Sequence, residues 1–227
     1  MRLYYMTAEK WAQTILAEAR LKLSLFDELN DPFELLGASI GGHETRRVVT
    51  FLRAHWSKTY GLLCMSDNWH SPLMWAHYAD KHRGICLGFD IEDGLWWQMR
   101  YVADRISLPL DVTKPVLGLD AAKLRSLMEV KAMDWAYERE YRMSSKLTDV
   151  EENGFYYVDF SNALVLREVI LGARCTTPIH SVARSVGQPA RTVTVHRARA
   201  AFETFEIVRQ KNQKAIVILG SIERGGR

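Results

Sequence analysis

Two carboxylates, Glu138 and Glu140, stand two residues apart in the stretch W-A-Y-E-R-E-Y-R, Trp135–Arg142. In an extended chain that spacing puts both on one side. Held together, two such groups can stabilise a developing positive charge and take a proton from an incoming nucleophile. Arg139 and Arg142 are the adjacent cations. Arg142 can hold Glu140 in place or pair with a pyrophosphate. A plain ion-paired helix end is the structural alternative for the same residues.

Other residues with chemical capacity fall in two further stretches. In Asn30-Asp31-Pro32-Phe33-Glu34, Asx side chains can bond the local backbone and Pro32 keeps Asp31 out of the helical region. This is turn chemistry with a high density of acids. In Leu73–Tyr78, Trp75 and Tyr78 offer flat faces for stacking on a ring, and His77 a polar aromatic position. His70, His77 and His82 lack the four-residue spacing that puts two imidazoles on one helical face, so no metal site is expected. Asn30–Glu34, Trp75–Tyr78 and Glu138–Arg142 are expected to line one concave pocket.

The elements that must position these groups follow from periodicity. Leu3–Met6 reads as a strand, with Thr7 as the N-cap of a helix carrying Trp11, Ile15, Leu16 and Ala19. Leu21, Leu23 and Leu25 alternate with polar residues as a strand that includes Ser24. Val48, Val49, Leu52 and Trp56 mark a helix whose Arg46, Arg47, Arg53 and Lys58 face solvent. Gly61–Ser66 is a buried strand. Ser71-Pro72 starts a helix expected to close at Gly84. Gly84–Asp90 and Arg100–Leu108 are strands, the second followed by a Pro- and Gly-bearing loop. Leu124, Leu127, Met128 and Trp135 predict one long helix, N-capped by Asp120, with Trp135 as its core anchor. The strand Tyr141–Lys146 follows. Phe155–Val158, Ala163–Leu171, Thr192–Ala198, Thr204–Arg209 and Ala215–Leu219 are later strands. A short helix opens at Thr177-Pro178 and closes at Gly187. The fold class predicted is α+β: one domain, residues 1–227, with mostly antiparallel central strands, surrounding helices and a frayed 223–227.

Composition narrows the class. The chain has 227 residues and a net charge of +3, which permits contact with nucleic acid without arguing for it. The three cysteines are widely separated and lack metal-ligand spacing, which suits a reducing compartment. With no signal pattern and no apolar run of membrane length, the expected location is the cytoplasm. No linker, repeat or low-complexity tract interrupts the chain.

N-D-P-F-E at Asn30–Glu34, L-M-W-A-H-Y at Leu73–Tyr78, G-I-C-L-G-F at Gly84–Phe89, W-A-Y-E-R-E-Y-R and E-V-I-L-G at Glu168–Gly172 occur in an order that resembles a bacterial family, domain-of-unknown-function family 2971. The likeness spans nearly the whole chain. A second resemblance is to the ADP-ribosyltransferase fold, including its DNA- and RNA-modifying toxin members. It rests on an aromatic first strand, a helix, a Ser-bearing strand and a late Glu-x-Glu that opens a strand. It implies NAD as substrate, no metal, Glu140 and Glu138 as catalytic groups, and Tyr4 or Tyr5 with Ser24 at the dinucleotide. Asn30, Asp31, Trp75, His77, Tyr78 and Arg142 complete the expected contacts. The first strand departs from the pattern: it has no His, and no Arg other than Arg2.

The function expected on these grounds is cleavage of the nicotinamide–ribose bond and transfer to a nucleic-acid or protein acceptor, in a bacterial toxin or anti-phage effector. Two other classes fit the same residues. A metal-dependent nuclease would use Asp31, Glu34, Glu138 and Glu140 as oxygen ligands for Mg²⁺. A non-catalytic module would bind a nucleotide or other ligand and turn nothing over.

Overall fold

The structure, a computed structural model, describes residues 1–34, 37, 39, 43–107, 121–148, 150–151 and 153–221. In chain order the elements are β1 (Arg2–Thr7), α1 (Glu9–Glu18), β2 (Arg20–Lys22), α2 (His43–Thr59), β3 (Tyr60–Ser66), α3 (Pro72–Tyr78), β4 (Ile85–Ile91), β5 (Trp97–Gln98), β6 (Arg100–Val102), α4 (Ala121–Met128), β7 (Val130–Ala132), β8 (Glu140–Lys146), β9 (Tyr157–Asp159), β10 (Leu164–Leu171), α5 (Ile179–Ser185), β11 (Val193–Ala200), β12 (Ile207–Arg209) and β13 (Ile216–Ile218). Short 3-10 turns lie at Phe26–Glu28, Asp93–Leu95 and Met133–Glu138. The protein is α+β, with helices and a large mixed sheet whose pairings are mostly antiparallel. The chain divides into two units: Met1–Leu21, Cys64–Trp96 and Tyr157–Arg227 in the first, Lys22–Leu63 and Trp97–Tyr156 in the second.

The first unit is built on β4, which pairs antiparallel with β1 on one side and β10 on the other. β11 lies parallel to β10, and α5 supplies the crossover that a parallel pair needs. Alternation along the strands sorts the two faces. Leu3, Phe89, Leu87, Val169 and Val195 share one, all buried, and the buried Ala12, Ile15 and Leu16 of α1 and Ile179 and Val182 of α5 add to the core. The other face carries Tyr4, Gly88 and Glu168 in one cross-strand row. A side chain on Gly88 would meet the Tyr4 ring at 3.0 Å and the Glu168 Cβ at 2.9 Å, so glycine lets the tyrosine lie across β4.

In the second unit β8 pairs antiparallel with β5, placing Arg142 opposite Trp97. β6 and β7 run parallel, with Tyr101 opposite Lys131. Ser24 and Leu62 exchange both backbone bonds, at 2.9 Å each. The cations Arg46, Arg47 and Lys58 of α2 are exposed, as its apolar periodicity requires.

Several elements differ from the sequence expectation. The long helix does not reach Trp135: α4 ends at Met128, and the chain passes through β7 and a 3-10 turn first. The apolar spacing from Leu124 to Trp135 therefore spans three different elements. Trp135 is half-buried, with the Lys131 ammonium 4.9 Å from its ring centre, and is not a core anchor. α1 is capped by Ala8, which makes no side-chain cap bond, so Thr7 remains the last residue of β1. Trp11 points outward, 55% exposed. α3 is N-capped by Ser71, with Pro72 in its first turn, but ends at Tyr78. Asp80, Lys81 and His82 all take positive φ (43°, 54° and 70°), a left-handed turn that cannot continue a helix. The strand begun at Arg100 stops at Val102. Asp120, the loop at 108–119 and the tail 223–227 lie outside the described residues.

Candidate functional site

The side chains of Glu34, Lys131, Glu138, Glu140 and Arg142, all in the second unit, form one buried ion network. Each is at most 7% exposed. Arg142 Nη2 donates to Glu34 Oε2 at 2.9 Å, and Nη1 to Oε1, a two-pronged pair. The same guanidinium donates to Glu140 from Nε, at 2.7 Å, and from Nη2, at 3.1 Å. Lys131 Nζ donates to Glu140 Oε2 at 3.0 Å and also to Glu138 Oε2. Burial lowers the Lys131 pKa, but the charges of Glu140 and Glu138 outweigh it and hold the ammonium above its usual range.

Local backbone explains why the two carboxylates meet. Glu138 ends the 3-10 turn, and Arg139 is left-handed at φ 47° before β8 begins at Glu140. That one residue turns the chain so that both carboxylates reach Lys131. The Glu140 N–H donates to the Tyr101 hydroxyl at 2.7 Å, which fixes the start of β8. Burial, with the charges of Glu140 and Glu138, pushes that phenol up to about 12 against the opposing pull of the N–H and Lys131.

Beside the network lies a cavity of about 180 Å³, lined among others by Asp31, Phe33, Asp104, Arg105 and Lys131. Asp31 is 3% exposed and its Oδ1 accepts from the Phe33 N–H at 2.9 Å, the Asx turn expected of Asn30–Phe33. Arg105 stacks over the Phe33 ring at 5.1 Å. Lys131 thus belongs to the cavity wall, with its ammonium on the carboxylate pair. Asn30–Glu34 and Glu138–Arg142 are brought together through the Glu34–Arg142 pair. Asn30 is exposed and Ser24 half-buried.

Tyr4, Tyr5, Trp75, His77 and Tyr78 belong to the first unit. Trp75 is fully buried and donates from Nε1 to Trp69 O at 2.6 Å. Its ring is part of the core and offers no face for stacking, which corrects that expectation. His77 is exposed and packs edge-on to Tyr78. Burial pushes the Tyr5 hydroxyl up to about 12.

Sequence reasoning assigned no role to Lys131, Tyr101, Glu168 or His196. Glu168 accepts from the Tyr4 hydroxyl at 3.4 Å, and its other oxygen lies 3.3 Å from Nε2 of the buried His196. Burial raises the Glu168 carboxyl, but His196, Arg2 and the Tyr4 hydroxyl together bring it below its usual value. Burial, reinforced by the Glu168 charge, raises Tyr4 to about 12. The signal available was Glu168 in the largely apolar β10; His196 sits in β11 among Thr194, Arg197 and Arg199 and does not stand out there.

Among the described residues, no three His, Cys, Asp or Glu side chains are placed to hold a metal ion. Glu34, Glu138 and Glu140 face cations instead. No described helix is long and apolar enough to cross a membrane. Compared with protein-family models, curated proteins and solved structures, the chain has no significant match in any of the three.

Proposed function

We propose that the chain is an ADP-ribosyltransferase-like enzyme that cleaves the nicotinamide–ribose bond of NAD and passes ADP-ribose to a nucleic-acid or protein acceptor, in a cytoplasmic toxin or anti-phage role. One observation carries this reading: Glu138 and Glu140 both accept from Lys131, a residue in the wall of a small cavity. Breaking the C–N bond leaves its electron pair on nicotinamide and builds positive charge on the ribose. Two carboxylates held in a site of low dielectric are suited to that charge. In the ligand-free chain Lys131 supplies the cation. Catalysis requires its ammonium to yield that place, and its flexible stem lets it turn to a phosphate of the bound dinucleotide. Arg142, clamped by Glu34, keeps Glu140 oriented for the ribose contact. Glu138 then takes the proton of the acceptor as the new bond forms.

A second reading is binding without turnover. Its support is that both Glu140 oxygens already accept from Lys131 and Arg142. The two readings separate when purified protein is incubated with labelled NAD and DNA, RNA or protein acceptors, with and without Mg²⁺. Nicotinamide release with transfer of label is the expected outcome. Nucleic acid cut with Mg²⁺ while NAD is untouched would move the activity to a nuclease. Neither outcome would leave the binding module.

A further inference from the structure

The hairpin β11–β12 ends in Ala201-Phe202-Glu203-Thr204-Phe205-Glu206, closed by a 2.8 Å bond from Ala201 N–H to Glu206 O. Its two phenylalanines are 91% and 100% exposed. They are the most exposed large apolar side chains among the described residues. Between this hairpin and Pro72, His82, Ala173 and Arg174 is a cavity of about 520 Å³. Everything that lines it lies in the first unit.

We propose that this hairpin tip is a binding platform for single-stranded nucleic acid, with unpaired bases on Phe202 and Phe205 and one base in the adjoining cavity. Every base has a π-face, and stacking on aromatic side chains is the common means of holding unpaired strands. Cations also surround the tip. Arg199 lies 4.2 Å from the Phe202 ring centre, Arg174 lines the cavity, and Arg209 is exposed on the facing strand. Glu203 and Glu206 also line the cavity. They repel phosphate and accept hydrogen bonds from base N–H groups. Guanine, whose pairing edge presents adjacent N–H donors, suits them best. A lipid surface explains the phenylalanines and arginines but leaves two carboxylates at the depth of insertion. A protein partner explains the apolar surface but not the cavity with its mixed charges.

The inference concerns binding alone and holds whether or not the chain turns over NAD. The test is fluorescence anisotropy with labelled single-stranded DNA and RNA dodecamers, with and without guanine, without NAD and over a range of salt. Wild type should bind, guanine-bearing strands more tightly, with affinity falling as salt rises. Phe202→Ala with Phe205→Ala should weaken binding at least about 10-fold, since stacking is worth roughly 1–3 kcal/mol per base. Because both rings are exposed, the melting temperature should not change. Arg174→Ala should lower the salt dependence. Failure to bind any single strand, or binding unchanged in the double variant, would overturn the proposal. So would loss in that variant of vesicle binding or of self-association while oligonucleotide binding is absent.

Discussion

At the scale of single residues, Arg142 is the most committed side chain in the second unit. It is 1% exposed and donates to both Glu34 and Glu140. Breaking a buried pair leaves an uncompensated charge, and Arg142→Ala removes the partner of two carboxylates. The expected loss is about 3–5 kcal/mol. Chemical denaturation should show it as a lower midpoint; an unchanged midpoint would mean that the network is wet and weak. In the first unit, Glu168 makes a pH-dependent prediction. Its folded pKa lies below its unfolded value despite burial, because His196, Arg2 and Tyr4 favour the charged form; Asp90 stands beyond Arg2. A lowered carboxylate pKa stabilises the fold above the unfolded value, about 4.3, and that stability is lost as pH falls through the folded value. Wild type should therefore melt above Glu168→Gln at neutral pH, with the gap closing below about pH 4. A gap that widens on acidification would reverse the sign of the assignment.

At the scale of elements, two glycines are required by close backbone approach. A Cβ on Gly84 would stand 2.1 Å from Thr7 O, and one on Gly172 2.2 Å from His82 O. Both obstacles are backbone atoms, the first at the end of β1 and the second in the left-handed turn at Asp80–His82. Gly84→Ala and Gly172→Ala should each cost about 1–3 kcal/mol or more. Gly94, with nothing near it, is the internal control, and Gly94→Ala should melt like wild type. Trp135 offers a second test. Half-buried under Lys131, it should lose about 1–2 kcal/mol on Trp135→Ala, the range of a partly desolvated cation–π contact with some lost packing. A loss of about 3–5 kcal/mol would match a fully buried aromatic and restore the core-anchor reading. These elements also mark what local sequence could reveal. Ser71-Pro72 starts α3 because an N-cap and a first-turn proline act within one turn. β10 and β11 were legible because each runs for eight residues in which Val, Ile or Thr recurs. β7 is three residues long, and a helical spacing ran through it. No window of that length separates strand from helix.

At the scale of the whole molecule, the candidate site was legible in its parts and not in its pairing. Glu138, Glu140 and Arg142 stood out by spacing. Glu34 meets Arg142 across 108 positions of sequence, and nothing local records that. Lys131 was hidden for the same reason as β7. The carboxylate pair and the cation it shares make one claim that turnover can test directly. The measurement is nicotinamide release from NAD by wild type, Glu140→Gln and Glu138→Gln, each first checked for a native melting transition and for dinucleotide binding. A group that acts in the transition state lowers turnover more than binding. Glu140→Gln should therefore lose on the order of 10²–10⁴-fold in release while still binding the dinucleotide. Glu138→Gln should lose mainly transfer to the acceptor and retain hydrolysis. A folded wild type that releases no nicotinamide with any acceptor, or a Glu140→Gln variant that releases it at the wild-type rate, would contradict the account.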